Sequence, residues 1–433
     1  MPDIAPSGML AQGCRCFSRA ARRKVGGHRL PVPNTSARPD HHRVAVTAVG
    51  VISPLGVGIA ETERALRAGL DRVSAVTAFD TTKCRAKMAG QVEKIPVDGD
   101  RWSRRLHRSS HLMITAGREV CAGDPAFAPE LLVIGTTSGG MSFGEAYHRS
   151  QIAKQLSPDR ARWLVSYPPQ KPILDAMAAC GFSAPVQIIA NACASGTNAV
   201  GHAFRLVRSG ACRAVLCGGY DAICEMVFCG FDSLQASTPE KVRPFDKGRS
   251  GLVLGEGAAL LALEEWESAR RRGAAIVAEI TGYGISTDNH HLTQPHPSGI
   301  GPELAMRRAL TDAGVEAETI DYINAHGTAT PFNDASEGAA IAKIFGARVP
   351  VSSTKGMMGH ALGGAGAIEA AFCVSAIRGQ FLPPNINFRA PDPAWDLNIV
   401  ANTARGARVR RVLSNSFGFG GTNASIVLQE VEA

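Results

Sequence analysis

Four residues have side chains that could together act on a carbonyl group: Cys193, His326, Lys355 and His360. Cys193 lies in Asn-Ala-Cys-Ala-Ser-Gly, directly after the apolar residues 186–190 and before a helical pattern over 197–208. An apolar run, small residues and a new helical pattern predict a strand, a tight turn and a helix, which place the thiol at a helix N-terminus. The helix dipole and unpaired N–H groups there favour the thiolate, the form that attacks carbonyl carbon. Cys193 is therefore predicted to be a nucleophile.

The two histidines and the lysine also follow apolar runs. Residues 320–325 lead into His326 in HGTAT, and residues 349–353 lead into Lys355 and His360 in TKGMMGH. Each run thus delivers a polar group to the carboxyl end of a predicted strand, where open α/β sheets bind their ligands. We expect the three strand ends to converge on one site.

Strand-like and helical segments alternate from residue 43 onward. A predicted strand at 44–49 is followed by glycine-rich turns and a predicted helix at 59–68, and another apolar run at 131–134 ends in glycine. This alternation predicts βαβ units. A second unit begins with a strand near 276–284 and continues into a helix at 302–313, so the chain is predicted to contain an internal duplication.

Composition places the chain among globular enzymes. It has 433 residues, of which 45% are hydrophobic and only 6% aromatic, which suits a layered α/β protein. The sequence has no uninterrupted apolar stretch of about 18 residues, so no membrane span is predicted.

The positive charge is concentrated at the N-terminus. The formal net charge is +8, but eight lysines and arginines against two acids precede Val44, which leaves about +2 for the rest. We therefore predict no nucleic-acid partner. Residues 1–42 are expected to be a basic, disordered extension. The chain is expected to be cytoplasmic, although the arginine-rich and acid-poor extension leaves organelle targeting open.

The eleven cysteines do not predict disulfides or a metal site. Their odd number, spread through a large aliphatic chain, fits reduced thiols. Cys217, Cys224 and Cys229 lack the paired spacing of a zinc site. We therefore predict that the protein holds no metal.

Five motifs occur in the order in which one enzyme family carries them: ACASG around Cys193, HGTAT at His326, STKGMMGH with Lys355 and His360, GGAGAIE, and NSFGFGGTN at 415–423. With them the chain resembles the β-ketoacyl-acyl carrier protein synthases, closest to the synthase II branch. The resemblance implies the thiolase fold, with two similar mixed-sheet halves in five α/β/α/β/α layers. We expect one half at 43–275 and the other at 276–433.

The resemblance also implies the reaction. An acyl chain on Cys193 is extended by two carbons from malonyl-acyl carrier protein in a decarboxylative Claisen condensation, which elongates fatty acid or polyketide chains. The implied partners are an acyl carrier protein and a second subunit, either identical or a non-catalytic chain-length partner. No cofactor is implied beyond the phosphopantetheine arm that carries the substrates.

Family positions give roles to the remaining motif residues. His326 and His360 would stabilise the enolate or promote attack of water on the departing carboxyl group, and the sequence does not choose between these roles. Lys355 would order the pocket electrostatically, linked to Glu369. Thr328 and Thr330 would hydrogen-bond the pantetheine arm, although helix capping is an alternative.

The glycine-rich segment at 418–421 resembles the mobile gate of the family. Phe419 would supply a backbone N–H that joins the N–H of Cys193 as an oxyanion hole, while its ring closes the acyl tunnel. The segment lacks the frame of a phosphate-binding P-loop.

A basic patch could receive the carrier protein, which is acidic in this family. Its candidates cluster on a predicted helix: Arg101, Arg104, Arg105 and Arg108. Lys241 and Arg243 lie in a later loop. An ordinary solvated face is the competing interpretation.

Two segments depart from the synthase II pattern. Gly144 stands where that branch usually carries a bulky apolar residue limiting the acyl pocket, so we expect a larger pocket. The segment at 167–172 and the short predicted helix at 173–180 replace a longer helix. These departures favour long or unsaturated chains and a polyketide or polyene pathway.

Three other protein classes fit less well. A degradative thiolase needs a second reactive cysteine near its C-terminus, where this chain has GFGGTN. A non-catalytic chain-length subunit lacks the nucleophile that Cys193 provides. A Cys-His-Asn condensing enzyme of the chalcone synthase or synthase III type would carry asparagine in place of His360.

Overall fold

The computed structural model describes residues 41–155, 157 and 161–431, with only the backbone at residue 162. Most of the predicted basic extension, residues 1–40, lies outside the described residues. The strands are β1 (Val44–Ser53), β2 (Gly56–Val57), β3 (Val73–Ala75), β4 (Met88–Gly90), β5 (Leu131–Gly135), β6 (Val186–Ile189), β7 (Ala214–Asp221), β8 (Gly257–Glu265), β9 (Ala278–Thr287), β10 (Tyr322–Asn324), β11 (Pro350–Ser352), β12 (Phe381–Leu382), β13 (Asn398–Ile399), β14 (Arg405–Gly406), β15 (Arg411–Gly418) and β16 (Thr422–Gln429).

The helices connect these strands. They are α1 (Ile59–Ala68), α2 (Arg108–Gly123), α3 (Met141–Ile152), α4 (Lys171–Cys180), α5 (Ser195–Arg208), α6 (Glu225–Ser233), α7 (Trp266–Arg271), α8 (Ile300–Ala313), α9 (Pro331–Phe345), α10 (Lys355–Met358) and α11 (Ala365–Gly379). Short 3-10 helices cover Ser103–Arg105, Arg162–Ser166, Ala317–Thr319 and Leu362–Gly364. No helix within the described ranges has both the length and the apolarity to cross a membrane.

The two halves of the chain have the same strand order. Across the sheet the first half runs β6-β5-β7-β8-β1, and the second half runs β11-β10-β15-β16-β9. In each half the first two pairs in that order are parallel and the next two are antiparallel. The halves meet where β1 and β9 pair antiparallel, with Val44 opposite Ile280. The internal duplication predicted from the sequence is confirmed.

Two buried helices lie between the halves. One hydrophobic cluster contains Val133 of β5, Val200 of α5, Val374 of α11 and Ala424 of β16, so both halves of the sheet pack against α5 and α11. Residues 365–377 of α11 are all buried, Glu369 included, as expected of a helix with apolar residues on nearly every side. The helices α2 and α4 cover the outer face of the first half, and α8 and α9 that of the second. The result is the predicted five-layered α/β/α/β/α arrangement.

Local sequence signals position several of these elements accurately. The helix predicted at 59–68 coincides with α1. It ends because Gly69 adopts a left-handed conformation with φ of 61°, and its N–H donates to the carbonyls of Ala65 and Leu66. The strand predicted at 44–49 extends further, to Ser53, and is almost entirely buried.

Candidate active site

Cys193 lies in a tight turn between β6 and α5. Ala192, immediately before it, has a φ of +57°, a left-handed conformation that is uncommon for a residue with a side chain. The turn is fixed by Ser195, whose hydroxyl accepts the N–H of Asn191 at 2.9 Å and donates to the carbonyl of Ala192 at 2.6 Å. The side chain of Cys193 is buried, with 6% exposure. The strand, turn and helix predicted from the sequence are therefore present.

The electrostatic environment of Cys193 differs from the sequence expectation. Burial raises the pKa of its thiol to about 11, and the carboxylate of Asp221 acts in the same direction. The Lys355 ammonium and the backbone N–H groups of Phe419 and Cys193 lower the pKa, but by less. The N–H groups therefore favour the thiolate, as expected, but desolvation outweighs them and the net pKa of Cys193 is raised.

Two imidazole rings lie together in the same cavity. The ring centroids of His326 and His360 are 5.1 Å apart, and the ring planes are at 85° to each other. Burial lowers the pKa of both rings well below the usual range, and the nearby Lys355 charge lowers them further. Nδ1 of His326 and both ring nitrogens of His360 have no hydrogen-bond partner among the described residues. Two neutral imidazoles are thus available to a substrate.

Lys355 forms a buried ion pair with Glu369, as the resemblance implies. Nζ of Lys355 contacts Oε1 of Glu369, and the two side chains are only 2% and 4% exposed. Burial raises the pKa of Glu369, and Lys355 partly offsets this rise. Because Lys355 lowers the pKa of Cys193, His326 and His360 alike, its charge acts on the whole site.

Two buried carboxylates that the sequence analysis missed hold loops at the site. Glu337 of α9 accepts the N–H groups of His326 at 2.9 Å and Gly327 at 2.8 Å, and burial raises its pKa to about 7. Asp221 at the end of β7 accepts those of Ser138 at 2.7 Å and Gly363 at 2.7 Å, and burial raises its pKa to about 6. An acid on an amphipathic helix or at a strand end has no signal in the sequence that distinguishes it from a surface acid.

The predicted gate lies in the turn between β15 and β16. Phe419 donates its backbone N–H toward the Cys193 sulfur, as does Cys193 itself. The ring of Phe419 stacks on that of Phe231 in α6, with centroids 5.4 Å apart and planes at 20°. Gly420 and Gly421 have φ values of +83° and +79°, which favour glycine at both positions.

One cavity of about 290 Å³ brings most of the predicted residues together. Its walls include Cys193, His326, His360, Thr328, Thr330 and Phe419. The hydroxyls of Thr328 and Thr330 are 2.9 Å apart. The hydroxyl of Thr330 also accepts the N–H of Asn333 at 3.4 Å and so caps the N-terminus of α9. Thr330 therefore has the capping role that was the alternative to binding the pantetheine arm.

Gly144 is not in this cavity. It lies in α3 and lines a second cavity of about 500 Å³, together with Met141, Leu164, Tyr167, Met226 and Cys229. A Cβ atom at Gly144 would lie 2.6 Å from Cδ2 of Tyr167. The ring of Tyr167 therefore fills the space that a larger residue 144 would take. Gly144 thus lines a cavity other than that of Cys193, and the expectation that it enlarges the acyl pocket stays a prediction.

Arg108, one of the predicted patch residues, pairs with a buried acid. Its guanidinium donates to Glu256, with Nε to Oε2 at 2.9 Å, and Nη2 donates to the carbonyl of Val92 at 2.5 Å. The Glu256 side chain is fully buried, so Arg108 is needed to neutralise it. Arg108 therefore already pairs with a buried carboxylate, and its place in a carrier-protein patch stays a prediction.

The other predicted patch residues lie on different elements. Arg101 is in a turn, and Arg104 and Arg105 are in a 3-10 helix; all three are exposed and have no ion-pair partner among the described residues. Lys241 pairs with Asp71 at 2.5 Å, and Arg243 is buried. Only the first three therefore remain as an exposed cluster among the predicted positions.

Comparison with known proteins agrees with the site. The β-ketoacyl synthase N-terminal domain matches residues 140–269, and the β-ketoacyl synthase C-terminal domain matches residues 277–389. The 3-oxoacyl-[acyl-carrier-protein] synthase 2 of Staphylococcus aureus (strain COL) is 37% identical over 421 residues, covering 90% of this chain and 99% of the relative.

Solved structures give the same result. The chain is similar to the ishigamide ketosynthase/chain length factor, with a TM-score of 0.85 and 36% identity over 90% of this chain and 100% of the other. It is also similar to the ketosynthase ApeO in complex with its chain length factor ApeC from Xenorhabdus doucetiae, with a TM-score of 0.79 and 28% identity over 91% of this chain and 100% of the other. The fold is the thiolase fold predicted from the resemblance, and the chain belongs to the β-ketoacyl synthase family of condensing acyltransferases.

Proposed function

We propose that this protein extends an acyl chain held on Cys193 by two carbons taken from malonyl-acyl carrier protein. The observation that carries the proposal is the shared cavity of Cys193, His326, His360 and the N–H group of Phe419. A thiol, two neutral imidazoles and two backbone donors are what a covalent acyl transfer followed by decarboxylation requires.

The first half-reaction loads the acyl chain. The sulfur of Cys193 attacks the thioester carbonyl of acyl-acyl carrier protein, and its proton passes to a neutral imidazole. The negative oxygen of the tetrahedral intermediate lies at the N–H groups of Cys193 and Phe419. The carrier thiolate then leaves with a proton, and the acyl chain remains on Cys193.

The second half-reaction forms the new bond. Loss of carbon dioxide from the malonyl group leaves an electron pair on the α-carbon, and the resulting enolate oxygen accepts hydrogen bonds from His326 and His360. The α-carbon attacks the acyl carbonyl, and the Cys193 sulfur is expelled. The electron pair comes from the breaking carbon–carbon bond, so we expect no metal or nucleotide to be needed.

Acyl carrier protein is the proposed partner that delivers both substrates. The name of the Staphylococcus aureus relative includes this carrier. The exposed guanidinium groups of Arg101, Arg104 and Arg105 support a contact with an acidic carrier, because exposed opposite charges speed association. Replacing all three by alanine should raise KM for the carrier substrate and weaken its salt dependence.

A second subunit is the proposed partner at the face around the second cavity. Strand β6 is at the end of the strand order. Exposed apolar side chains line the second cavity, including Met226 at 57% and Leu164 at 42%. Exposed apolar patches of this kind favour association. We infer a dimer through this face, and we place the distal end of a long acyl chain in the second cavity.

A type II polyketide or polyene ketosynthase is the second candidate function. Two similar solved structures are named for a ketosynthase with its chain length factor. The contact between Gly144 and Tyr167 supports an acyl path unlike that of the housekeeping branch. In this case the second subunit is a non-catalytic chain-length partner.

Reconstitution with defined substrates distinguishes the two candidates. Acyl carrier proteins bearing short, long or unsaturated chains are incubated with the protein, with and without a candidate chain-length subunit, and then with malonyl carrier protein. Extension by the protein alone supports a homodimeric synthase. Extension only with the added subunit supports the second candidate, and no extension under either condition contradicts both.

A further inference from the structure

Two cysteines outside the site cavity are in contact. The sulfur atoms of Cys84 and Cys229 are 3.5 Å apart, although Cys84 lies in the loop before β4 and Cys229 lies in α6. Both side chains are partly exposed, whereas Cys217 and Cys373 are buried. Cys229 also lines the second cavity. A small reagent can therefore reach this thiol pair.

The backbone around the pair is already fixed in place. Asp232, one turn beyond Cys229 in α6, accepts the N–H of Arg85 at 2.8 Å and that of Ala86 at 3.0 Å. The N–H of Cys84 donates to the carbonyl of Thr81 at 2.9 Å, which closes a turn. Because loop and helix are already joined next to the thiols, bonding the sulfur atoms requires only a small movement.

The same helix contacts the gate. Phe231, two residues after Cys229, lines the site cavity and stacks on the ring of Phe419. Helix α6 thus forms a wall of both cavities. A covalent bond between Cys84 and Cys229 would shorten the sulfur–sulfur distance to about 2.0 Å and tie α6 to the loop, which restrains the ring against which Phe419 packs.

We propose that Cys84 and Cys229 form a redox modification site, where low-molecular-weight disulfides oxidise the two thiols and thereby slow the movement of Phe419. The thiolate of Cys84 attacks one sulfur of the reagent and expels a reagent thiol. The thiolate of Cys229 then attacks the Cys84 sulfur and expels the second reagent thiol. The two protein sulfurs lose two electrons in total, the reagent disulfide is reduced, and both thiol protons end on the reagent thiols.

Mass spectrometry tests the site independently of activity. The full chain carrying Cys193→Ala is incubated with oxidised glutathione, so that the nucleophile cannot react. We expect a loss of about 2 Da, one hydrogen from each thiol, and a cross-linked peptide joining Cys84 and Cys229, both reversed by dithiothreitol. Adding Cys84→Ser should abolish the cross-link, and adding Cys212→Ser, at another partly exposed cysteine, should leave it intact. Absence of the cross-link overturns the proposed site.

Turnover tests the connection to the gate, and this part rests on the proposed function. The chain with Cys193 intact and its Cys84→Ser variant should condense substrates equally well when reduced. After oxidation, the chain with Cys84 should lose roughly threefold more turnover than the variant, as expected when a gating movement limits the rate, and dithiothreitol should restore it. Equal losses in both proteins would overturn the gating role. Inactivity of both reduced proteins would contradict the proposed function, while the mass result would still decide the redox site.

Discussion

The two halves of the molecule have the same strand order but contribute different chemistry. In the first half, β6 is the third of the five repeated strands in chain order, and it leads to Cys193, the proposed nucleophile, just before α5. In the second half, the corresponding strand β11 leads to Lys355, a cation in a buried ion pair. The strands that come second in chain order, β5 and β10, also differ. Strand β10 leads to His326, whereas β5 leads to Thr136.

What the halves share is the way they hold these loops. The loop after the second strand is fixed by a buried carboxylate in both, Asp221 in the first half and Glu337 in the second. The repeated fold therefore determines where the polar groups converge, and the residue type at each strand end determines what they do. In the proposed mechanism, the first half supplies the covalent step, and the second half supplies neutral donors and positive charge.

Replacing a histidine of the second half should separate the two half-reactions most strongly. We expect His326→Ala or His360→Ala to lower the condensation rate by about 10²- to 10³-fold, because an enolate donor is lost. Acyl loading should persist, since the other imidazole can still accept the thiol proton. Single-turnover mass measurements of acyl-enzyme and product check this, with His202→Ala in α5 as the control. Equal loss of loading and condensation would contradict the division between the halves.

Breaking the buried ion pair should destabilise the second half. Lys355→Met leaves Glu369 buried without its partner, and we expect the free energy of unfolding to fall by about 3–5 kcal/mol. Arg213→Met is the matched control, because Arg213 is 80% exposed and an exposed pair contributes about 0–1 kcal/mol. Urea unfolding monitored by fluorescence checks both variants. Similar small losses of unfolding free energy in the two variants would show that burial of the Lys355–Glu369 pair does not affect stability.

The first half can be tested through the reactivity of its thiol. Because burial raises the pKa of Cys193 to about 11, alkylation by iodoacetamide should accelerate with rising pH up to that value. Near neutral pH it should be on the order of a hundredfold slower than for a free cysteine, whose pKa is about 8.5. Peptide mapping of Cys193 as a function of pH measures this. A midpoint near or below 8.5 would mean that the helix N-terminus outweighs desolvation.

The preferred acyl chain length should depend on the packing of Tyr167 against Gly144. This is the smallest effect among the four predictions. Tyr167→Ala removes the ring that fills the space beside Gly144, so we expect longer chains to load better. The ratio of loading rates for chains two carbons apart should shift by roughly tenfold. Adding Gly144→Ile should reverse the shift, and competition between acyl carrier substrates measures it. Unchanged ratios in both variants would remove the second cavity from the acyl path.

The sequence analysis was most accurate for features that depend on residues close together in the chain. The turn at Cys193 and the helix at 59–68 follow from residues adjacent in the chain, and the duplication follows from a repeated order of elements. The pairing of Lys355 with Glu369 came from the resemblance, since the two residues lie fourteen positions apart.

Interactions between distant residues could not be predicted in this way. Arg108 has the features of a surface cation, and only the fold brings it to Glu256, 148 positions away. Tyr167 fills the space beside Gly144 although the two lie on different elements. The pKa of Cys193 depends on the depth of its burial, which a motif does not encode.

The most direct test of the account is whether Cys193 carries the growing chain. Intact-mass spectrometry of the protein after incubation with acyl-acyl carrier protein, with and without a candidate partner subunit, compares the native sequence with Cys193→Ala. The account predicts an added acyl mass only when Cys193 is present, followed by release of a product two carbons longer after malonyl carrier protein is added. An acyl mass on Cys193→Ala, or none on the native sequence with any chain or partner, would contradict it.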